Sequence, residues 1–331
     1  MPGEYGDAVL ADLDAMVRDG LHRWGLSPGA SIRLLNISEN ATYRIDDGTR
    51  CMVLRLHRLG YRTVPEIESE LHWIQALRAG AVVETPAPIP AADGRLVQSL
   101  PSPGGLPSRF AVGFELVPGA EPAQGADLVD WFRILGRLTA AMHGHTKAWT
   151  PPPGFTRKAW DFAAIFGPEP IWGDWRSGLG LDDAGRALAA RAVDVIERRL
   201  LAFGRGRDRF GLIHADLRLA NLLVDGAHLR VIDFDDCGFG WYAHDFATAV
   251  SFFEHEPIVP ELMDAWVGGY RGRAHLSAED EAELPMFVML RRLMLVAWVA
   301  SHAETPTAQA MGTAYTQGAL DMAENFLARF G

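Results

Sequence analysis

Residues 212–236 constrain the fold and the chemistry of this chain more than any other stretch. An apolar run leads into the pattern His-x-Asp-x-x-x-x-Asn, and two short β-like runs then flank the dipeptide Asp225-Gly226. A turn dipeptide of this kind between two apolar runs is a strong hairpin signal. The hairpin would bring Asp216 and Asn221, which precede it, close to Asp233, which follows it.

These three side chains suggest a site for a nucleotide-bound cation. Carboxylate and amide oxygens are ligands that hard cations prefer, and such cations accompany nucleotide phosphates. In the kinase arrangement a loop Asp accepts the proton of the attacking hydroxyl. The Asn five residues later, with an Asp beyond the next strand, holds Mg²⁺. The pattern therefore favours phosphoryl transfer, and the alternative is a hairpin whose Asp and Asn side chains only form turns and caps.

The same segment resembles the motif of the aminoglycoside phosphotransferase-like kinases, and the resemblance runs over roughly residues 21–330. It implies an α+β, protein-kinase-like fold. The expected domains are a β-rich N-lobe over residues 1–118 and a mostly helical C-lobe over 119–331. An insert near 149–181 would lie on the substrate side.

The resemblance also assigns roles within the motif. It implies that Asp216 is the catalytic base, that Asn221 and Asp233 are metal ligands, and that Asp235 joins them in the acidic loop. Asp245, in a later family element, is expected to brace the catalytic loop. His214 is likewise expected to brace this loop by hydrogen bonding.

Arg218 follows the proposed base by two residues and has two interpretations. A cation at this offset contacts the transferring phosphate in protein kinases, which would make Arg218 part of the catalytic set. Alternatively, Arg218 pairs with Asp235 or Asp236. The sequence leaves both open.

Nucleotide contacts are expected from the N-lobe. The first hairpin turn, residues 36–40, contains no glycine. Ser38 and Asn40 are the residues of this turn whose side chains are expected to donate hydrogen bonds to the phosphates. Arg55, on the strand 51–57, takes the position of the kinase lysine, since a guanidinium can make a forked contact with phosphate oxygens. Arg58 is a weaker rival for this role.

Two further N-lobe predictions follow from the resemblance. Glu70 is the expected helix partner of Arg55, with Glu66 as its competitor. The hinge residues Glu115, Leu116 and Val117 would offer backbone groups to adenine. ATP is the expected nucleotide, with GTP possible, and Mg²⁺ is the expected cation.

The acceptor is expected to be a hydroxyl of a small molecule such as an aminoglycoside, an amino alcohol, homoserine or a sugar. The insert and residues 241–256 contain aromatic and acidic side chains that have two interpretations. They would bind a cationic acceptor, or they would pack in the core. The stretch 38–44 and Arg291-Arg292 favour an alternative, a Ser/Thr protein kinase of the bacterial stress-response branch. The remaining alternatives are a nucleotide-sensing module without catalytic activity and a metal hydrolase. A hydrolase would need more histidine ligands than this loop provides.

Composition narrows the choice of partners and compartment. The net charge of −11 argues against nonspecific nucleic-acid binding, which needs a Lys/Arg-rich face. Two cysteines, far apart in the sequence, fit a reducing cytoplasm. The start of the chain lacks the features of a signal peptide. The apolar segment Met286–Ala300 is interrupted by Arg291-Arg292, which predicts a buried helix rather than a membrane span.

Hydrophobic periodicity predicts the elements that these assignments need. Strands are expected at residues 31–35, 41–45, 51–57, 95–99 and 110–117. Helices are expected at residues 8–24, 63–79, 127–145, 182–203, 243–253, 260–271, 279–303 and 308–330.

Overall fold

The computed structural model describes residues 7–37, 40–123, 125 and 127–331, which divide into two compact units. One unit holds the chain up to Ala81 with Thr85–Pro118 and Pro151–Thr156. The other holds Val82–Glu84, Gly119–Thr150 and Arg157–Gly331. The first is built on an antiparallel sheet and the second is mostly helical, which confirms the predicted fold class.

The N-terminal unit contains two helices and one sheet among its described residues. In chain order its elements are α1 (Asp7–Gly20), β1 (Ser31–Ile37), β2 (Asn40–Asp46), β3 (Cys51–His57), α2 (Val64–Ala79), β4 (Pro88–Ile89), β5 (Val97–Leu100) and β6 (Arg109–Glu115). The strand order is β1-β2-β3-β6-β4, and β5 also pairs with β6. A short 3₁₀ turn, Leu21–Trp24, follows α1.

The core of this unit lies where α1 meets the sheet. Leu13 and Val17 of α1 are buried in one cluster with Tyr43, Ile45 and Leu54 of the two central strands. Alternate residues of a strand point to opposite faces, so the buried residues of β2 mark the face that covers α1.

Helix α2 begins as its sequence predicts. The carboxylate of Glu66 accepts hydrogen bonds of 2.8 Å from both the N–H and the hydroxyl of Thr63, and this fixes the first turn. The predicted apolar stripe is buried, from Ile67 to Leu77.

The C-terminal unit contains most of the helices. In chain order its elements are α3 (Leu128–Ala148), α4 (Phe162–Phe166), α5 (Asp183–Phe203), β7 (Phe210–Ile213), β8 (Leu222–Asp225), β9 (His228–Val231), β10 (Gly238–Trp241), α6 (His244–Ala249), α7 (Val259–Arg271), α8 (Ala278–Ser301) and α9 (Pro306–Phe330). β8 pairs with β9, and β7 pairs with β10.

Helices α3 and α7 approach each other closely because each presents a glycine to the other's backbone. A Cβ atom built on Gly136 would collide with the carbonyl oxygen of Trp266, and one on Gly269 with that of Arg133. The contact matters for the site described below, since the hydroxyl of Tyr270 on α7 lies 3.1 Å from Nδ1 of His143 on α3, and His143 in turn contacts Asp245.

Helix α8 is the central helix of this unit. It is long and apolar enough to cross a membrane by length and composition, but 83% of its most apolar window is buried inside the protein. This matches the predicted buried helix. Its two central arginines, Arg291 and Arg292, are each 1% exposed and are bonded inside the unit.

Candidate active site

The β8-β9 hairpin places Asn221 and Asp233 at its open end. Leu222 pairs with Val231, and the N–H of Ile232 donates to the Asn221 carbonyl at 2.9 Å. The two strands are therefore joined up to the residue next to Asp233. The turn lies one residue later than the predicted Asp225-Gly226, because Asp225 itself pairs with His228.

Asp216 lies at the centre of a hydrogen-bond network. Its Oδ2 atom accepts from the side-chain amide of Asn221 at 2.7 Å and from Nε of Arg218 at 3.2 Å. Its Oδ1 atom accepts from Nη2 of Arg291 at 2.7 Å. The Asp216 side chain is 13% exposed, so a small molecule can still reach it.

The electrostatic environment keeps Asp216 ionised. Burial raises the pKa of this carboxyl, but the positive charges of Arg218 and Arg291 outweigh the burial, and the pKa lies below its ordinary value. Asp216 is therefore a carboxylate at neutral pH, which is the form that a general base requires.

Asn221 has an orientation that suits metal binding. Its amide nitrogen donates both to Oδ2 and to the backbone carbonyl of Asp216, the latter at 2.8 Å. An amide whose nitrogen is engaged in this way has its oxygen available to accept or to ligate. Asp233 is exposed and has a positive φ of 60°, and its carboxylate accepts a 3.4 Å hydrogen bond from the N–H of Asp235.

The donor set fits a hard cation. Arg157 fixes the backbone of the acidic loop, since its guanidinium donates to the carbonyl oxygens of Asp235 and Cys237. Oxygens of Asn221, Asp233 and Asp235 are the type that Mg²⁺ takes, usually together with substrate phosphates. No three His, Cys, Asp or Glu side chains form a ready metal cluster within the described ranges.

The loop that carries Asp216 is braced by Asp245. The N–H groups of His214 and Ala215 donate to this carboxylate at 3.3 and 2.8 Å, and Nε2 of His143 donates at 2.9 Å. Ala215 has a positive φ of 66°, which costs free energy in a residue with a side chain. The expected bracing role of Asp245 is confirmed by these contacts.

His214 also acts as the sequence predicted. Its Nδ1 accepts from the N–H of Asp216 at 3.2 Å, so the ring proton resides on Nε2, which donates to the Ile232 carbonyl at 3.1 Å. Burial lowers the pKa of His214, which keeps the ring neutral, and the two hydrogen bonds select this tautomer.

Aromatic residues of the insert serve packing. Trp160, Trp172 and Trp175 are all buried, and the face of Trp172 is covered by the guanidinium of Arg291, 5.0 Å from the ring centre. Glu254 is also buried, and accepts from Nη1 of Arg292 and from the hydroxyl of Tyr315, both at 2.8 Å. These groups therefore form part of the core around the site.

In the N-terminal unit, Arg55 pairs with Glu70 as predicted. Nη2 of Arg55 lies 2.6 Å from Oε2 of Glu70, and the two side chains are 5% and 0% exposed. The competitor Glu66 instead caps α2 through Thr63.

Of the remaining nucleotide candidates, those that the structure describes lie near the start of β2 and the end of β6, and their roles stay predictions. Ser38 lies outside the described residues. Asn40 begins β2 rather than sitting in a turn, and its side-chain oxygen accepts from the N–H of Arg58 at 3.2 Å. The N–H of Glu115 donates to the Ala87 carbonyl at 2.9 Å. Val117 follows the end of β6.

Sequence reasoning missed Arg291 as a member of the site. It took Arg291-Arg292 as an interruption of an apolar segment and as a feature that favours the protein-kinase alternative. The signal was present, because a charged side chain buried in an apolar helix requires a partner of opposite charge. The sequence did not reveal that this partner is Asp216.

Comparison with known proteins gives one family and several relatives. Residues 31–283 match the phosphotransferase enzyme family. The chain is 47% identical to the microcompartment-associated aminopropanol kinase, whose solved structure gives a TM-score of 0.89 over 96% of this chain and 98% of that one. It is 26% identical to amicoumacin kinase of Bacillus subtilis over 88% of this chain and 84% of that protein. Spectinomycin phosphotransferase shares the fold, with a TM-score of 0.63 and 13% identity over 95% of this chain and 98% of that one.

Proposed function

This chain belongs to the phosphotransferase enzyme family, and from that premise we propose that it transfers the γ-phosphate of ATP to the hydroxyl group of an aminopropanol or a closely similar amino alcohol. One observation carries the choice of acceptor: 47% identity to an aminopropanol kinase across 96% of the chain. The enzyme class, a phosphotransferase with an alcohol group as acceptor, follows from the family. Cytoplasmic location remains part of the proposal.

Asp216 is the proposed general base. It accepts the proton of the acceptor hydroxyl while the acceptor oxygen forms a bond to the γ-phosphorus and the bond from that phosphorus to the β,γ-bridging oxygen breaks. ADP leaves with the electron pair of the broken bond. The ionised state of Asp216 and its partial exposure support this role.

Asn221, Asp233 and Asp235 are the proposed holders of Mg²⁺. When bound, the cation neutralises negative charge on the phosphates and helps to orient them. Asn221 supplies its amide oxygen because its nitrogen is engaged by Asp216. Arg218, which is paired with Asp216, adds a positive charge beside the group that is transferred.

The N-terminal unit is proposed to bind the nucleotide. Arg55, oriented by Glu70, contacts phosphate oxygens, and the side chains of Ser38 and Asn40 are the further proposed hydrogen-bond donors to phosphate. The carbonyl of Glu115 and the N–H of Val117 bind adenine. These assignments come from the resemblance, and the buried Arg55–Glu70 pair supports the first of them.

A substrate panel tests the acceptor. Purified enzyme is supplied with Mg²⁺ and either ATP or GTP, and phosphorylated product is quantified for the three aminopropanol isomers, ethanolamine, choline, homoserine, amicoumacin, a sugar, an aminoglycoside and casein. Propan-2-ol and propane-1,2-diol serve as matched acceptors without an amino group. The proposal expects the highest kcat/KM for an aminopropanol, and a large loss when the amino group is removed.

Two results of the panel would overturn the choice. Efficient phosphorylation of homoserine or amicoumacin with no turnover of amino alcohols would assign a different small-molecule acceptor. Phosphorylation of casein with no phosphorylation of any small molecule would favour the protein-kinase alternative.

A further inference from the structure

We propose that Arg291 is a positioning residue for the catalytic base: it holds the Asp216 carboxylate so that one lone pair, on Oδ1, is left for the acceptor hydroxyl. The inference rests on the proposed function, because it assumes that Asp216 is the base. It adds a residue from α8, far from the sequence motif, to the machinery of the reaction.

The argument begins with the lone pairs of Asp216. An ionised carboxylate has about four of them, two on each oxygen. Both on Oδ2 are used, by the amide of Asn221 at 2.7 Å and by Nε of Arg218 at 3.2 Å. One on Oδ1 is used by Nη2 of Arg291 at 2.7 Å. Within the described part of the chain, the acceptor hydroxyl therefore has one lone pair to approach, and it lies beside Arg291.

Arg291 is itself held in one orientation. Its Nε donates to the hydroxyl of Ser251 at 3.0 Å, and the plane of the guanidinium lies over Trp172. The side chain is 1% exposed. A planar guanidinium that is fixed at two edges and one face cannot rotate without losing these contacts. The hydrogen bond from Nη2 therefore holds the Asp216 carboxylate in one orientation.

The neighbouring Arg292 is a control that distinguishes a purely structural role of a buried arginine from a positioning role. It lies on the same helix with the same 1% exposure, and it also forms a buried pair with a carboxylate, Glu254, at 2.8 Å. Its hydrogen bonds within the described part of the chain go to Glu254 and to the Tyr315 carbonyl and not to Asp216. A substitution at Arg292 therefore disturbs the fold in a comparable way and leaves the base in place.

The test compares Arg291→Lys, Arg291→Met and Arg292→Lys with the wild type. For each we would measure kcat, the KM values for acceptor and ATP, and the melting temperature. Misplacing a reacting group by about 1 Å can cost roughly 100-fold in rate. We expect kcat to fall by about that factor in Arg291→Met, with the KM for ATP within threefold of wild type. Arg291→Lys keeps the charge and should recover part of the rate.

The control should behave differently. Arg292→Lys is expected to lower the melting temperature while kcat stays within about threefold of wild type. The inference is wrong if Arg291→Met retains wild-type kcat, or if Arg292→Lys loses as much kcat as the Arg291 variants do. If Arg291→Met does not fold, Arg291→Lys decides: a clear loss of kcat supports the inference, and wild-type kcat contradicts it.

A crystal structure of the folded Arg291 variant provides a readout that needs no acceptor. We expect the Asp216 carboxylate to leave its present orientation, and an unchanged carboxylate would contradict the inference. Absence of turnover by the wild-type enzyme with every acceptor would instead count against the proposed function, so the two failures are distinguishable.

Discussion

The side-chain nitrogen of Asn221 lies 2.7 Å from Oδ2 of Asp216. The contact links the two halves of the proposed chemistry, since the amide nitrogen of Asn221 orients the proposed base and its amide oxygen is the proposed ligand of Mg²⁺. A single substitution at Asn221 should therefore affect both.

Replacing Asn221 by Ala should raise the Mg²⁺ concentration for half-maximal activity by about 10- to 100-fold, because a ligand is lost. Asn221→Asp should be worse for kcat, since it places a second negative charge at hydrogen-bond distance from Asp216. A magnesium titration of both variants at saturating ATP measures the effect. An unchanged magnesium requirement in Asn221→Ala would remove this residue from the metal site.

Breaking the Arg55–Glu70 pair should affect stability and nucleotide binding separately. Arg55→Met leaves the carboxylate of Glu70 buried without its arginine partner, and we expect the free energy of unfolding to fall by about 3–5 kcal/mol. The double variant Arg55→Met/Glu70→Leu should recover most of the stability, while the KM for ATP remains raised in both. Urea denaturation and ATP kinetics check this, and a wild-type KM in the stable double variant would exclude Arg55 from phosphate binding.

The close contact of α3 with α7 provides an internally controlled test of packing. Gly269→Ala should destabilise the protein by about 1–3 kcal/mol, because the new Cβ meets the Arg133 carbonyl. Its neighbour Gly268 lies in the same helix with open space around the Cβ position, so Gly268→Ala should stabilise by about 0.5–1 kcal/mol. Equal melting temperatures for the two variants would show that α3 and α7 are less closely packed than the contacts of Gly136 and Gly269 indicate.

Buried His244 should make stability depend on pH. Burial, together with the nearby charge of Arg291, lowers the pKa of His244 from 6.5 to about 3. Below pH 6.5 the unfolded chain takes up a proton that the folded protein does not, so the free energy of unfolding falls as the pH decreases from 6.5 towards 3. The expected slope is about 1.4 kcal/mol per pH unit for this group.

Urea denaturation of wild type and His244→Asn at pH 7.5, 6.5, 5.5 and 5.0 checks this slope. The variant should lose stability less steeply below pH 6.5, and parallel curves would contradict the assignment.

Much of the local structure was readable from the sequence because it depends on short-range signals. The strand Cys51–His57 was predicted with its observed limits, and α2 begins at the predicted Thr63 cap. The turn between β8 and β9 was misplaced by one residue, which still left Asn221 and Asp233 on opposite sides of the hairpin.

Long-range structure was less readable. The pairing of Phe210–Ile213 with Gly238–Trp241 joins two short segments across the motif, and neither segment carries a signal that names its partner. The helix expected over 243–253 ends at Ala249, and Phe252 then adopts a positive φ of 74° that its residue type does not predict. Arg291 of α8 contacts Asp216 although 75 residues separate them in the sequence, so local patterns could not predict this pair.

The role of Asp216 as the base is tested most directly by the turnover of Asp216→Asn, with Asp225→Asn, on the β8-β9 hairpin that follows it, as a matched control. General base catalysis contributes about 10²- to 10⁴-fold, so kcat should fall by that range in Asp216→Asn while the Kd for ATP stays near wild type. Asp225 lies at the exposed turn, and its variant should retain wild-type kcat. An Asp216→Asn enzyme that turns over an acceptor at the wild-type rate would contradict the account.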